Sequence, residues 1–96
     1  MKEGKFHNCR ADVSIEGNVY RLRSYGTIVC DVNMNTKVIY FYPDYRYSST
    51  TMQHVRKFLV ELIGFYVPMS WVDANIINKY TDYAYLNGYM VIMTET

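Results

Sequence analysis

The sequence predicts an α+β fold, in which an antiparallel sheet of four or more strands is covered on one face by an amphipathic helix. Three observations lead to this class. The first half of the chain alternates apolar and polar residues with the period of strands, and residues 52–63 carry apolar side chains at helical spacing. Pro43 separates the two patterns. Because 96 residues leave room for one core, we expect a single domain over residues 1–96.

Four extended stretches form the predicted sheet. They cover residues 11–15, 19–23, 27–32 and 37–42. Gly17 and the cluster at residues 33–36 tolerate the tight or left-handed backbone that turns require. Short connections of this kind favour hairpins, so we expect an antiparallel meander.

The main helix is predicted over about residues 50–63. Thr50 and Gln53 have the spacing of a capping box, and Gly64 supplies a stop. The apolar face predicted for this helix consists of Met52, Val55, Phe58, Leu59, Leu62 and Ile63. His54 is expected on the polar face. Since the apolar face needs a partner, we expect it to pack on the meander.

A short helix and a hairpin are predicted at the C-terminus. Pro68 and Ser70 favour a helix start, and Asp73 lies in the first turn. The predicted helix runs through Trp71, Ala74, Ile77 and Asn78. Asn87 and Gly88 separate two β-prone stretches, residues 83–86 and 89–94, and this dipeptide favours the type I′ turn of a hairpin.

Composition and charge exclude several classes of protein. Ten Lys and Arg against nine Asp and Glu give a net charge of +1, which does not indicate a duplex-binding domain. No apolar run approaches the ~20 residues of a membrane span, and the N-terminus does not resemble a secretory signal. The two cysteines, Cys9 and Cys30, are fewer than a small secreted fold usually carries. We therefore expect a cytoplasmic protein without membrane contact, and a Cys9–Cys30 disulfide remains open.

Neither a metal site nor a catalytic site is indicated. His7, Cys9, Cys30 and His54 are all the His and Cys residues, and no two of them have the spacing of a zinc chelate. Residue types suited to hydrolysis cluster at Asp44, Ser48, Ser49 and His54. They lack a nucleophile elbow, the serines suit a helix start, and the five glycines form no phosphate-binding signature. We predict no cofactor and no enzymatic activity.

Tyrosine is the unusual component, with 11 of the 96 residues. Exposed tyrosine offers a large contact area at low conformational cost, whereas the alternative is that these rings fill a half-buried sheet surface. Tyr40 and Tyr42 are expected to share one face of the fourth strand. The predicted binding residues are Tyr40, Tyr42, Tyr45, Arg46 and Tyr47.

Three further arginines, Arg21, Arg23 and Arg56, are candidate contacts to phosphate or to a partner. Guanidinium groups beside aromatic rings are typical of single-strand binders, so a nucleotide or single-stranded nucleic-acid module is an alternative that we favour less. A homodimer formed through exposed tyrosines is a further alternative.

Two motifs resemble a family of small proteins encoded by tailed bacteriophages and mobile elements. The first, S-Y-x-T-x-V, occupies residues 24–29, and the second, Y-S-x-T-T-x-x-H-x-x-x-F-L, occupies residues 47–59. The resemblance covers about residues 20–63, departs from the family at residues 42–46 and beyond Gly64, and carries no catalytic residue. It implies a host macromolecule as partner, above all a defence effector such as a CRISPR nuclease. The predicted function is steric inhibition of that partner by a non-enzymatic binding protein.

Overall fold

A seven-stranded mixed sheet and two α-helices build the protein, which a computed structural model describes at residues 1–7 and 10–95. The strands are β1 (Gly4–Lys5), β2 (Ala11–Glu16), β3 (Val19–Ser24), β4 (Thr27–Asn33), β5 (Val38–Phe41), β6 (Tyr83–Leu86) and β7 (Tyr89–Met93). The helices are α1 (Ser49–Ile63) and α2 (Met69–Asn75), and 3-10 turns lie at Pro43–Arg46 and Ile77–Lys79. The α+β class predicted from the sequence is confirmed.

The predicted meander is confirmed as β2 to β5, which pair antiparallel in chain order. Within it, the register between β3 and β4 shifts after Leu22, because Leu22 lies opposite Cys30 and Arg23 lies opposite Ile28. Val29 is thus the extra residue of a β-bulge. Both Val29 and Cys30 are buried as a result.

Two strand pairings were not predicted. β7 lies parallel to β5, with Val38 opposite Met90, so the strand order is β1-β2-β3-β4-β5-β7-β6 and the sheet is mixed. The segment holding α1 and α2 makes the crossover that a parallel pair requires. β1, only two residues long, adds an outer strand beside β2. A two-residue strand is too short to produce a periodic pattern.

Helix α1 begins at Ser49, and its N-cap is Ser48 rather than the predicted Thr50. The Ser48 Oγ accepts a hydrogen bond from the Thr51 amide at 3.1 Å, which satisfies one of the free donors of the first turn. The helix ends as predicted at Gly64, whose φ of 86° is left-handed.

Helix α2 lies where the sequence predicts a short second helix. Its N-cap is Pro68, Ser70 provides no cap, and Asp73 instead accepts a hydrogen bond from Arg46 at 3.0 Å. Val72 and Ile76 face the core, whereas Ala74 and Ile77 are exposed. The predicted hairpin is confirmed, since Asn87 and Gly88 have φ values of 51° and 82°, as a type I′ turn requires.

The hydrophobic core lies between one face of the sheet and the helices. Its strand residues include Val13, Leu22, Val32, Ile39, Phe41 and Val91, and its helical residues include Val55, Phe58, Leu59, Val72 and Ile76. Phe6 closes one end of the core and meets Phe58 edge to face, with ring centroids 6.3 Å apart. In the described part of the chain, neither helix is long and apolar enough to cross a membrane.

Candidate functional site

The second face of the sheet carries no packed helix within residues 1–7 and 10–95. Cross-strand partners place Tyr40 beside Ile92 and Ile92 beside Tyr83, while Val38, Met90 and Tyr85 form the adjoining row. None of these side chains belongs to the hydrophobic core. We call this surface the tyrosine face; it consists of Val38, Tyr40, Tyr42, Tyr83, Tyr85, Met90 and Ile92.

Four tyrosines on this face differ in exposure. Tyr83 and Tyr85 are 49% and 65% exposed, and their rings meet edge to face at 6.0 Å. Tyr40 and Tyr42 are half-buried. The prediction included Tyr40 and Tyr42 and missed Tyr83 and Tyr85. Their alternation with Ala84 and Leu86 already showed that they share a face, but not that this face adjoins Tyr40.

A buried carboxylate anchors one side of the tyrosine face. Asp31 accepts hydrogen bonds from Arg21 at 2.9 Å (Nε to Oδ1) and 2.8 Å (Nη2 to Oδ2), and from the Tyr42 hydroxyl at 2.7 Å. The hydrogen bond to Asp31 raises the pKa of Arg21, and burial followed by the hydrogen bond to Asp31 raises the pKa of Tyr42. This network fixes the orientation of the Tyr42 ring, and the Asp31 carboxylate neutralises the charge of Arg21.

Tyr45 and Arg46 lie on the helical side of the sheet, away from Tyr40. Tyr45 is only 4% exposed and stacks on Phe41 with ring centroids 4.5 Å apart. Of the two alternatives for the tyrosines, an exposed contact or the filling of a packed surface, Tyr45 follows the second. Arg46 covers the Tyr45 ring, bonds to its hydroxyl and pairs with Asp73, so both side chains complete the packing of the 3-10 turn against α2.

The other predicted contacts are also dispersed. Tyr47 is 79% exposed and, like Tyr25, lines a cavity on the helical side. Arg56, on α1, stacks over Tyr66, with its guanidinium carbon 4.7 Å from the centre of the ring. Arg23 donates to Ser14 at 3.1 Å, on the same face of the sheet as Arg21. Of the eight predicted residues, the structure brings together Arg21, Arg23, Tyr40 and Tyr42.

A buried hydroxyl and histidine cluster joins α1 to β3. The Ser24 hydroxyl lies 2.9 Å from His54 Nδ1 and 3.0 Å from the Thr51 hydroxyl. His54 is only 3% exposed, so its predicted place on the polar face was wrong. Burial, with a smaller effect of Lys57, lowers the pKa of His54, which keeps the ring neutral at pH 7.

This cluster borders a cavity of about 320 Å³. Ser24, Thr51 and Val29 line it, together with Tyr25, Thr27, Asp44 and Tyr47. A serine hydroxyl bonded to a histidine is the arrangement found in an activated nucleophile. Here the Ser24 hydroxyl is also hydrogen-bonded to the Thr51 hydroxyl. Among the hydrogen bonds of residues 1–7 and 10–95, none joins a carboxylate to His54 as an orienting group. The arrangement accounts for the position of α1 on β3.

The candidate metal ligands lie apart. His7 pairs with Glu61, His54 bonds to Ser24, and Cys30 is in the core, where burial raises the pKa of its thiol. Cys9, and with it the question of a Cys9–Cys30 disulfide, lies outside the described residues. Within those residues no group of three His, Cys, Asp or Glu side chains is placed to hold a metal ion.

Comparison with known proteins gives a family. Residues 2–64 match DUF8033, a family of unknown function. The chain belongs to this family. The DUF8033 match spans β1 to β5 and α1, and it ends at the C-cap of that helix. Within the tyrosine face, Tyr40 and Tyr42 fall inside the DUF8033 range, and Tyr83 and Tyr85 fall beyond it. No curated protein and no solved structure matches the chain significantly.

Proposed function

We propose that this DUF8033 protein is a non-enzymatic binding protein that attaches to another protein through the tyrosine face. The observation that carries the proposal is the continuous aromatic and apolar surface on the sheet face opposite the helices. Exposed apolar patches rimmed by polar residues are typical of interaction sites. Tyrosine suits such a site because its ring packs against a partner while its hydroxyl stays hydrated when the partner is absent.

The charges near this face favour a protein partner over nucleic acid. Asp31 neutralises Arg21, and Arg23 lies opposite Asp12 on β2. Phosphate recognition depends on cations that are available to replace counterions. The arginines beside the tyrosines are engaged within the protein, so aromatic contact is the dominant source of affinity in this proposal.

The motif resemblance to phage and mobile-element proteins favours a host protein as the partner. We propose a defence effector, such as a CRISPR nuclease, in the cytoplasm of the host cell. Inhibition is steric, because a chain that covers part of an effector surface needs no chemistry to block access to it.

Affinity capture from nuclease-treated host lysate tests the proposal. We expect the chain to retain one host protein, identified by mass, and we expect Tyr40→Ala with Ile92→Ala to weaken binding by ~30-fold or more, the range of interface hot spots. Tyr47→Ala is the matched control, since it removes an equally large exposed ring on the helical side.

Two outcomes contradict this function. Equal weakening by Tyr47→Ala and by the tyrosine-face variant removes the tyrosine face as the site. Recovery of nucleotides alone, with binding that falls steeply between low and moderate salt, favours the nucleic-acid module instead. An aromatic protein interface changes little over the same salt range.

A further inference from the structure

The two outer strands of the sheet differ in how their edges are protected. β1 has two residues and is surrounded by the charges of Lys2, Glu3 and Lys5, which is how natural sheets prevent edge-to-edge pairing. β6, at the opposite edge, has the sequence Tyr-Ala-Tyr-Leu. It carries no charge, no proline and no bulge. An edge of this kind is able to accept another strand.

The backbone of β6 is oriented for such pairing. The Met93 amide donates to the Asp82 carbonyl at 2.9 Å. Because hydrogen-bonded and non-hydrogen-bonded residue pairs alternate along an antiparallel ladder, this bond shows which residues of β6 bond to β7. Ala84 and Leu86 therefore direct their N–H and C=O groups toward β7, whereas Tyr83 and Tyr85 direct theirs outward. The Thr81 hydroxyl donates to the Tyr83 carbonyl, but the distance of 3.5 Å makes this a weak hydrogen bond. A backbone amide of an incoming strand can replace it.

We propose that β6 pairs antiparallel with β6 of a second copy of this chain, independently of the proposed function. A two-fold axis perpendicular to the sheet keeps the two faces distinct, so residues of the same face must lie opposite each other. With Ala84 on the axis, Tyr83 lies opposite Tyr85 of the second copy. In this register the outward N–H and C=O groups of Tyr83 face those of Tyr85 in the second copy. The two copies therefore form two hydrogen-bonded residue pairs, one on each side of the axis.

Charge and side-chain placement favour a second copy as the occupant. Because β6 is uncharged, self-pairing opposes no like charges, and Tyr83 and Tyr85 of both copies form one cluster of rings. The tyrosine face then continues across the two copies. Four residues a side provide less area than the ~1,200 Å² of a stable interface, so the dimer is weak and depends on concentration.

Sedimentation equilibrium over a range of concentrations tests the pairing. We expect the mean mass to rise from 11.4 kDa toward twice that value. Tyr85→Pro should abolish the rise, because proline removes an outward donor and leaves the ladder with β7 intact. Tyr85→Phe is the matched control and should associate like the natural chain. A far-ultraviolet circular dichroism melt verifies that both variants fold.

A cysteine substitution tests the register. In the proposed pair the two Ala84 Cα atoms are ~4.5 Å apart, within the range of a disulfide. Oxidised glutathione should therefore link two Ala84→Cys chains through the introduced thiols, and mass spectrometry should identify the linked peptides; Leu86→Cys, which lies away from the axis, should link much less.

Three results overturn the proposal. They are a monomer at all concentrations, a dimer that Tyr85→Pro does not affect, and equal linkage of Ala84→Cys and Leu86→Cys. If the chain remains monomeric and the Tyr85 amide becomes protected from exchange only with a captured host protein, β6 accepts a foreign strand instead of its own copy.

Discussion

The two faces of the sheet are made by alternate residues of the same strands, yet they differ in chemistry. In β5, Ile39 and Phe41 are fully buried under the helices, whereas Tyr40 between them is half-exposed. In β7, Val91 is buried and its neighbour Ile92 is half-exposed. Over β5, β7 and β6 the open face is not the charged surface that usually alternates with a core, although β2 to β4 place Asp12, Arg21, Arg23 and Asp31 on the same side. It is aromatic and apolar, which is the property expected of a surface that binds.

Polar groups are also buried differently on the two sides. The covered face holds the neutral Ser24, Thr51 and His54 cluster, and the open face holds the charged pair of Asp31 and Arg21. A neutral cluster suits a dry interior because no ion has to lose its hydration. The ion pair lies where Arg21 still reaches water, with its side chain 35% exposed.

The largest contrast between the faces concerns stability. Phe41→Ala should lower the free energy of unfolding by ~3–5 kcal/mol, because it leaves a cavity in the core. Tyr40→Ala, one residue away on the tyrosine face, should cost ~1 kcal/mol. Urea unfolding of both variants measures the difference. Equal losses would mean that the open face is as tightly packed as the covered one.

The ion pair sharpens the comparison. Arg21→Ala should cost ~2 kcal/mol, less than the ~3–5 kcal/mol of a fully buried pair because solvent screens the exposed part of Arg21. The loss arises because the buried Asp31 carboxylate is left with the Tyr42 hydroxyl as its remaining side-chain donor among the described residues. Arg21→Met with Asp31→Leu should recover most of it in the same urea assay. No recovery would show that the pair contributes more than it costs to desolvate.

The start of the covering helix gives a smaller effect. Ser48→Ala should lower the free energy of unfolding by ~1 kcal/mol, since the Thr51 amide loses its acceptor. Thr50→Ala is the control, because Thr50 is exposed and provides no cap. Thermal unfolding of the two variants separates the positions. A larger loss of stability for Thr50→Ala would show that Thr50 is the N-cap, as the sequence predicts.

His54 should make the covered side sensitive to acid. The folded protein lowers the pKa of His54 below its ordinary value of 6.5, so the unfolded chain binds the proton more readily. The histidine contribution to stability is therefore complete above pH 6.5 and decreases as the pH falls toward the folded pKa. Urea unfolding between pH 7.5 and pH 5 measures this slope. His54→Gln should reduce the slope, and an unchanged slope would assign it to other groups.

Local patterns predicted most of the elements. The alternation in β2 to β5, the apolar stripe of α1, the stop at Gly64 and the Asn87-Gly88 turn depend on residues close in sequence. The cap of α1 was misplaced because Ser48, Ser49, Thr50 and Thr51 are all competent caps, and the path of the preceding 3-10 turn selects Ser48.

The errors in the candidate site have a common cause. His54 was predicted on the polar face of α1, and Tyr45 was placed among the binding residues because it lies in a cluster of tyrosines close in sequence. Ser24, on β3, forms a hydrogen bond with the His54 ring, and Phe41 and Arg46 enclose the Tyr45 ring. These partners come from other elements, so no spacing within a helix or turn identifies them.

Turn chemistry and hydrophobic periodicity are local properties, and they were enough to define β2 to β7 and the main helix, while composition alone showed the surplus of tyrosine. These local properties did not determine which strands lie next to each other in the sheet. The parallel contact of β5 with β7 joins segments that lie far apart in the chain. It places Tyr83 in the same cross-strand row as Tyr40, with Ile92 between them, and leaves β6 at the edge. Such pairing follows from the burial of one shared core, and that burial depends on the whole chain at once.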